Sequence, residues 1–113
     1  MSKLSDISCP QLENVTVLST EDVKKYLHQL NNSWDNDQTK KQILFDFQFK
    51  NYYETIAFVN ALAWISHQQD HHPDLEVGYN HCLVRYSTHS AGGLSIKDFV
   101  CAALVEKLTH TST

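Results

Sequence analysis

Two short runs hold the strongest chemical signal in the chain: Asp70-His71-His72-Pro73 and Thr88-His89. Imidazole is the one side chain whose ordinary pKa lies near neutral pH, so it serves as acid or base without special tuning. Three meanings fit such a set: proton transfer, metal ligation, or a polar helix end. His67 and His71 are four apart, a spacing that places two metal ligands on one helix face. With His72 or His89 they would complete a zinc or iron site, but no HExxH and no cysteine pair accompanies them. A serine or cysteine nucleophile has less support. No GxSxG occurs, and Cys82 falls on the apolar side of a strand pattern. His28, His81 and His110 are expected to face solvent. On pattern alone, a polar helix terminus is the commonest meaning of His-His-Pro, and the three readings stay open.

The elements that must position these residues follow from periodicity. Ser19 and Asp22 stand at capping-box spacing, and Val23, Tyr26, Leu27 and Leu30 then share one face of a short helix. Trp34 opens a short strand, and Asp35-Asn36-Asp37 supplies turn chemistry. Ile43, Phe45, Phe47 and Phe49 alternate with Asp46 and Gln48, which predicts a strand with one buried face; Leu44 breaks the polar side. Asn51 caps a long helix on which Tyr53, Ile56, Ala57, Asn60, Ala63, Trp64 and His67 recur at helical spacing. Val59 and Leu62 widen that surface, so the helix is expected to be central and largely covered. Pro73 disfavours helical backbone at His72, so the helix ends near His71. There the macrodipole favours imidazolium by about 0.3–1 kcal/mol. A second strand runs from Tyr79 to Thr88, with Cys82, Val84 and Tyr86 inward and Leu83 breaking the outward side. Ser95 and Asp98 form a second capping box before a helix with Ile96, Phe99, Val100 and Ala103 on one stripe.

This order, α-β-β-α-β-α, predicts an α+β fold: a two-layer sandwich with a mostly antiparallel sheet and the helices on one face. The 113 residues suffice for one domain over 1–113, with 1–18 a partly loose lead-in. A net charge of −4 without a basic stripe argues against direct nucleic-acid binding. No apolar run approaches membrane length, and the N-terminal residues lack a secretory signal. Cys9, Cys82 and Cys101 lack metal-type spacing and fit reduced thiols in a cytoplasmic protein.

The runs Asp70-His71-His72-Pro73-Asp74, Val77-Gly78-Tyr79-Asn80, Ser87-Thr88-His89 and Gly93-Leu94-Ser95 with Asp98 resemble the pterin-4a-carbinolamine dehydratase family. Trp34 and Phe45-Asp46-Phe47-Gln48-Phe49-Lys50-Asn51-Tyr52 extend the likeness, which covers about Trp34 to Leu108. The resemblance implies dehydration of 4a-hydroxytetrahydrobiopterin to the quinonoid dihydropterin, a step in tetrahydropterin recycling, with no metal and no cofactor. It implies His71 and His89 as acid and base, and His72 in substrate binding and orientation. Asp70 matches an acidic neighbour of the pair, Trp34 a wall of the pterin pocket, and Asp98 a family aspartate that here doubles as a cap. His67 stands where many relatives carry glutamate. Exchanging a carboxylate for an imidazole is expected to shift activity toward lower pH. Gly78 stands where relatives often have a larger residue. The resemblance also implies a homo-oligomer, tetramer rather than dimer, to which Leu83 could contribute. Some relatives bind a transcription factor, so a non-enzymatic dimerisation cofactor is the alternative.

Overall fold

A computed structural model describes residues 3–109; the expectation for His110 lies outside them. In chain order the elements are α1 (Thr20–Leu27), β1 (Asp35–Asp37), β2 (Gln42–Gln48), α2 (Tyr52–Gln69), β3 (Asp74–Val77), β4 (His81–Tyr86) and α3 (Ile96–Glu106). The strands form one antiparallel sheet in the order β1-β2-β4-β3. The α+β fold and the expected order of helices and strands are present. The structure adds β3, which pairs with β4 as a hairpin. Its four residues are too few for alternation to stand out, and they pack on one neighbour only.

The alternating residues of β2 and β4 act together because the register aligns them. Ile43 lies opposite Tyr86, Phe45 opposite Val84, and Phe47 opposite Cys82. This face shares a core with Phe58 and Leu62 of α2 and with Phe99, Val100 and Val105 of α3. Leu44 and Leu83, the two breaks in the polar pattern, are half-buried on the opposite face. Two ion pairs share that face with them: His81 with Asp46 at 3.0 Å, and Arg85 with Glu76.

The caps form where the sequence placed them. Ser19 Oγ accepts from the Asp22 amide at 3.1 Å, and Asn51 Oδ1 accepts from the Glu54 amide at 2.9 Å. Each satisfies one of the amides left free at a helix start.

Two expectations are corrected. First, α2 buries Thr55, Phe58, Leu62 and Ser66, not the face carrying Tyr53, Ala57 and Trp64. Tyr53 is 82% and Trp64 60% exposed. The helix is apolar around most of its circumference, so periodicity does not select a face. The aromatic rings of the sheet do, with Phe47 and Phe49 meeting Phe58 at 4.7 and 5.0 Å. Second, part of the lead-in is built into the fold, with short 3₁₀ turns at Leu4–Asp6 and Cys9–Gln11. Leu4 and Cys9 join the core, and the Cys9 amide donates to Gln69 Oε1 at 2.8 Å, strapping the segment across the end of α2. Among the described residues, no helix is long and apolar enough to cross a membrane.

Candidate active site

The site begins with a backbone reversal. After Gln69 the chain enters the left-handed region at Asp70, with φ 52° and ψ 43°. Aspartate and asparagine tolerate this conformation better than other side-chain-bearing residues. The Asp70 and His71 amides both donate to the Ser66 carbonyl, which finishes α2. Helix α2 thus ends just before His71, and the turn lays the His71 ring against the Tyr86 ring, with centroids 5.8 Å apart and planes 13° apart.

His71 Nε2 lies 2.7 Å from Asp98 Oδ1, with side-chain exposures of 11% and 0%. The other carboxylate oxygen, Oδ2, accepts from the Thr88 hydroxyl at 2.8 Å and from the Ser95 amide at 3.0 Å. Hydroxyl accounting fixes the remaining directions. Thr88 spends its proton on Asp98, so Ser95 Oγ–H donates to Thr88 Oγ1 at 2.7 Å, and Ser95 Oγ accepts from the Lys97 amide at 3.2 Å. Asp98 therefore both caps α3 and holds the imidazole, one oxygen for each task. A carboxylate only accepts, so Nε2 carries the proton toward it. In the neutral ring Nδ1 carries the lone pair, and it has no hydrogen-bond partner among the described residues. That is an imidazole held in one tautomer by a buried carboxylate, with its other nitrogen free to take a proton and return it.

The same carboxylate ties three segments at one place: the end of α2, the residues after β4 and the first turn of α3. His89 follows Thr88 directly and opens a short 3₁₀ turn, His89–Ala91. His72 and His89 are exposed, as is Asp70. His67 is exposed and lies on Trp64, with centroids 5.7 Å apart, so it and His71 face different partners. Among the described residues, no three His, Cys, Asp or Glu side chains are arranged to hold a metal ion. Trp34 is 3% exposed. Its indole N–H donates to Glu106 Oε1 at 3.0 Å, and its ring meets Phe45 and Phe47 edge-on. It is connected to His71 through Tyr86, whose ring centroid lies 6.4 Å from its own.

Three further residues build the site, none of them singled out for it by the sequence. Thr88 and Ser95 complete the network around Asp98, and Tyr86 backs the His71 ring. The Thr88-His89 dipeptide and the capping-box serine were the available signals. Cys82 is not poised as a nucleophile: burial, with Asp46 adding to it, pushes its thiol up to about 11. Burial first, with the Asp98 carboxylate adding to it, raises the Tyr86 hydroxyl above its ordinary range, so it stays neutral. A separate hollow of about 410 Å³, bordered by Val17, Thr20, Lys41 and Gly93, takes no side chain from the histidine cluster.

A four-stranded antiparallel sheet with helices packed on it defines an α+β protein, and it carries a histidine held by a buried aspartate. The chain belongs to the pterin 4 alpha carbinolamine dehydratase family, whose sequence pattern matches residues 16–108. A Legionella pneumophila (strain Corby) protein, provisionally named a pterin-4-alpha-carbinolamine dehydratase, is 48% identical over 108 residues, 95% of this chain and 96% of that one. A protein of the same provisional name from Nitrosomonas eutropha is 51% identical over 106 residues, 93% of this chain and 92% of that one. Among solved structures, a transcriptional coactivator/pterin dehydratase from Brucella melitensis superposes with a TM-score of 0.78 at 25% identity, covering 82% of this chain and 98% of that one. A pterin dehydratase-like protein described as a RuBisCO assembly factor in the alpha-carboxysome gives 0.61 at 26% identity, covering 71% of this chain and 93% of that one.

Proposed function

We propose that this chain, acting as one unit over 1–113, dehydrates a 4a-hydroxytetrahydropterin to the quinonoid dihydropterin. The observation that carries the reading is the His71–Asp98 pair at 2.7 Å, in the sequence run that the family shares. The reaction breaks the C4a–O bond and forms a C4a=N5 double bond. The N5 proton passes to a base, an acid protonates the departing hydroxyl, and water leaves. One imidazole suits each role at neutral pH. His71 and His89 act as this acid/base set, and His72 binds and orients the pterin. Asp70 contributes the turn that aims His71. His67 and Trp34 support the site from outside it, His67 on the exposed side of α2 and Trp34 from the core behind Tyr86. The reaction needs no metal or redox cofactor, and a cytoplasmic location fits a soluble pterin.

The test is dehydration of freshly generated 4a-hydroxytetrahydropterin. His71→Ala is expected to lose about 10²–10⁴-fold in rate, the usual worth of a positioned acid or base. Equal rates for variant and wild type, both at the uncatalysed level, would remove the enzyme reading. They would leave the binding role that the coactivator and assembly-factor names of the two solved structures suggest.

The exposed face of α2 supports assembly. Tyr53 and Trp64, 82% and 60% exposed, are large apolar groups left open by the fold, and a second copy would cover them. A homo-oligomer, a tetramer rather than a dimer, is the expected state. Light scattering should give a mass several times 13.0 kDa for wild type and a smaller one for Trp64→Glu. A monomeric wild type at micromolar concentration would overturn this.

A further inference from the structure

We propose that Tyr86 is a positioning residue for His71, acting through its ring face and not its hydroxyl; this rests on the dehydratase reading above. Tyr86 ends β4 and is fully buried. Its ring lies nearly parallel to the His71 imidazole, with planes 13° apart and centroids 5.8 Å apart. The hydrogen bond from Nε2 to Asp98 fixes one atom of the imidazole but leaves the ring free to rock and swivel about that contact. A flat wall beside the ring removes that freedom. Together, the carboxylate and the wall set both the plane of the imidazole and the direction of Nδ1.

The hydroxyl is buried and makes no hydrogen bond of ordinary geometry among the described residues, although the Ser66 side chain lies near enough to act on it. The ring face, not the hydroxyl, is what meets His71. Trp34 leans on the far neighbourhood of the same ring, at 6.4 Å between centroids, so the wall is itself supported from the core. Misplacing a reacting group by about 1 Å can cost about a hundredfold in rate. A ring released from one of two restraints is expected to lose less.

Tyr86→Leu, which keeps an apolar side chain but removes the wall, should lower kcat roughly tenfold and leave KM within about twofold. Tyr86→Phe should restore the wild-type kcat. A merely structural role would not move a second readout, the ¹⁵N resonances of the His71 ring. Wild type and Tyr86→Phe should show one tautomer, protonated at Nε2. Tyr86→Leu should keep that tautomer, which Asp98 sets, but shift and broaden these resonances as the ring moves. A Tyr86→Leu variant with wild-type kcat and wild-type ¹⁵N resonances would overturn the proposal. So would a Tyr86→Phe variant as impaired as Tyr86→Leu. Should Tyr86→Leu fail to fold, the unaltered protein decides the matter. The His71 ring protons should be shifted upfield by the Tyr86 ring relative to those of His72 and His89, and unshifted protons would refute the stack. The resonances need no turnover, so a chain without dehydratase activity would fail the functional reading and still test this one.

Discussion

Asp98→Asn is expected to lower kcat about a thousandfold while the protein still folds. The asparagine carbonyl can take over Oδ2 and keep accepting from Thr88 and Ser95, which preserves the start of α3. Its amide nitrogen then faces His71 Nε2, now as a donor. Nε2 must accept, the ring proton moves to Nδ1, and the nitrogen left free for catalysis is no longer basic. Where a histidine–aspartate pair is known to act in catalysis, a wrong tautomer of this kind costs about 10⁴ in kcat. A single acid or base is worth about 10²–10⁴. Loss of a charged acceptor from a buried network should also cost about 1–3 kcal/mol of stability. Stopped-flow dehydration and urea denaturation measure the two effects separately. An Asp98→Asn enzyme within tenfold of wild type would show that the pair does not set the tautomer used in turnover.

Trp34→Ala is expected to be the most destabilising single substitution among the residues discussed, at about 3–5 kcal/mol. Its ring is almost wholly enclosed, meets Phe45 at 5.3 Å and Phe47 at 5.9 Å, and contributes an indole N–H to Glu106. The Asn31 amide donates to the same Glu106 oxygen at 2.9 Å, so removing the indole also disturbs the loop before β1. A domain of this size has about 5–15 kcal/mol in total. Trp34→Phe keeps most of the packing and loses the N–H, at about 1 kcal/mol. Because the indole is enclosed, KM for the pterin should be unchanged in Trp34→Phe. A several-fold rise in KM would show that the ring touches substrate after all.

The parts legible in the sequence are those with a period or a local rule. Ile43 to Phe49 reads as a half-buried strand because its side chains alternate, and Ser19, Asn51 and Ser95 read as caps because capping chemistry is local. The face of α2 was not legible. Thr55 and Ser66 are polar by type, yet they are buried because their hydroxyls bond to backbone carbonyls of their own helix, Asn51 and Leu62. β3 was missed because it is one short hairpin arm. At the site, the histidines stood out by type, but the pairing of His71 with Asp98 spans 27 residues. No spacing rule reaches across a two-stranded hairpin and a 3₁₀ turn. Asp98 also had a sufficient local explanation as a cap, and the structure shows that one carboxylate does both tasks.

The left-handed residue at position 70 separates carrying the motif from having the site. His71 meets Asp98 only because the backbone reverses at φ 52° one residue earlier. A β-branched residue there would resist that conformation, although every histidine would remain in place. Such a descendant would still pass any inspection that counts imidazoles, while its His71 ring had lost its carboxylate. For chains of this kind, the more telling mark of an intact histidine–aspartate pair is therefore an aspartate, asparagine or glycine ahead of the two histidines. That residue's chemistry is unremarkable, and its value lies in the bend it permits.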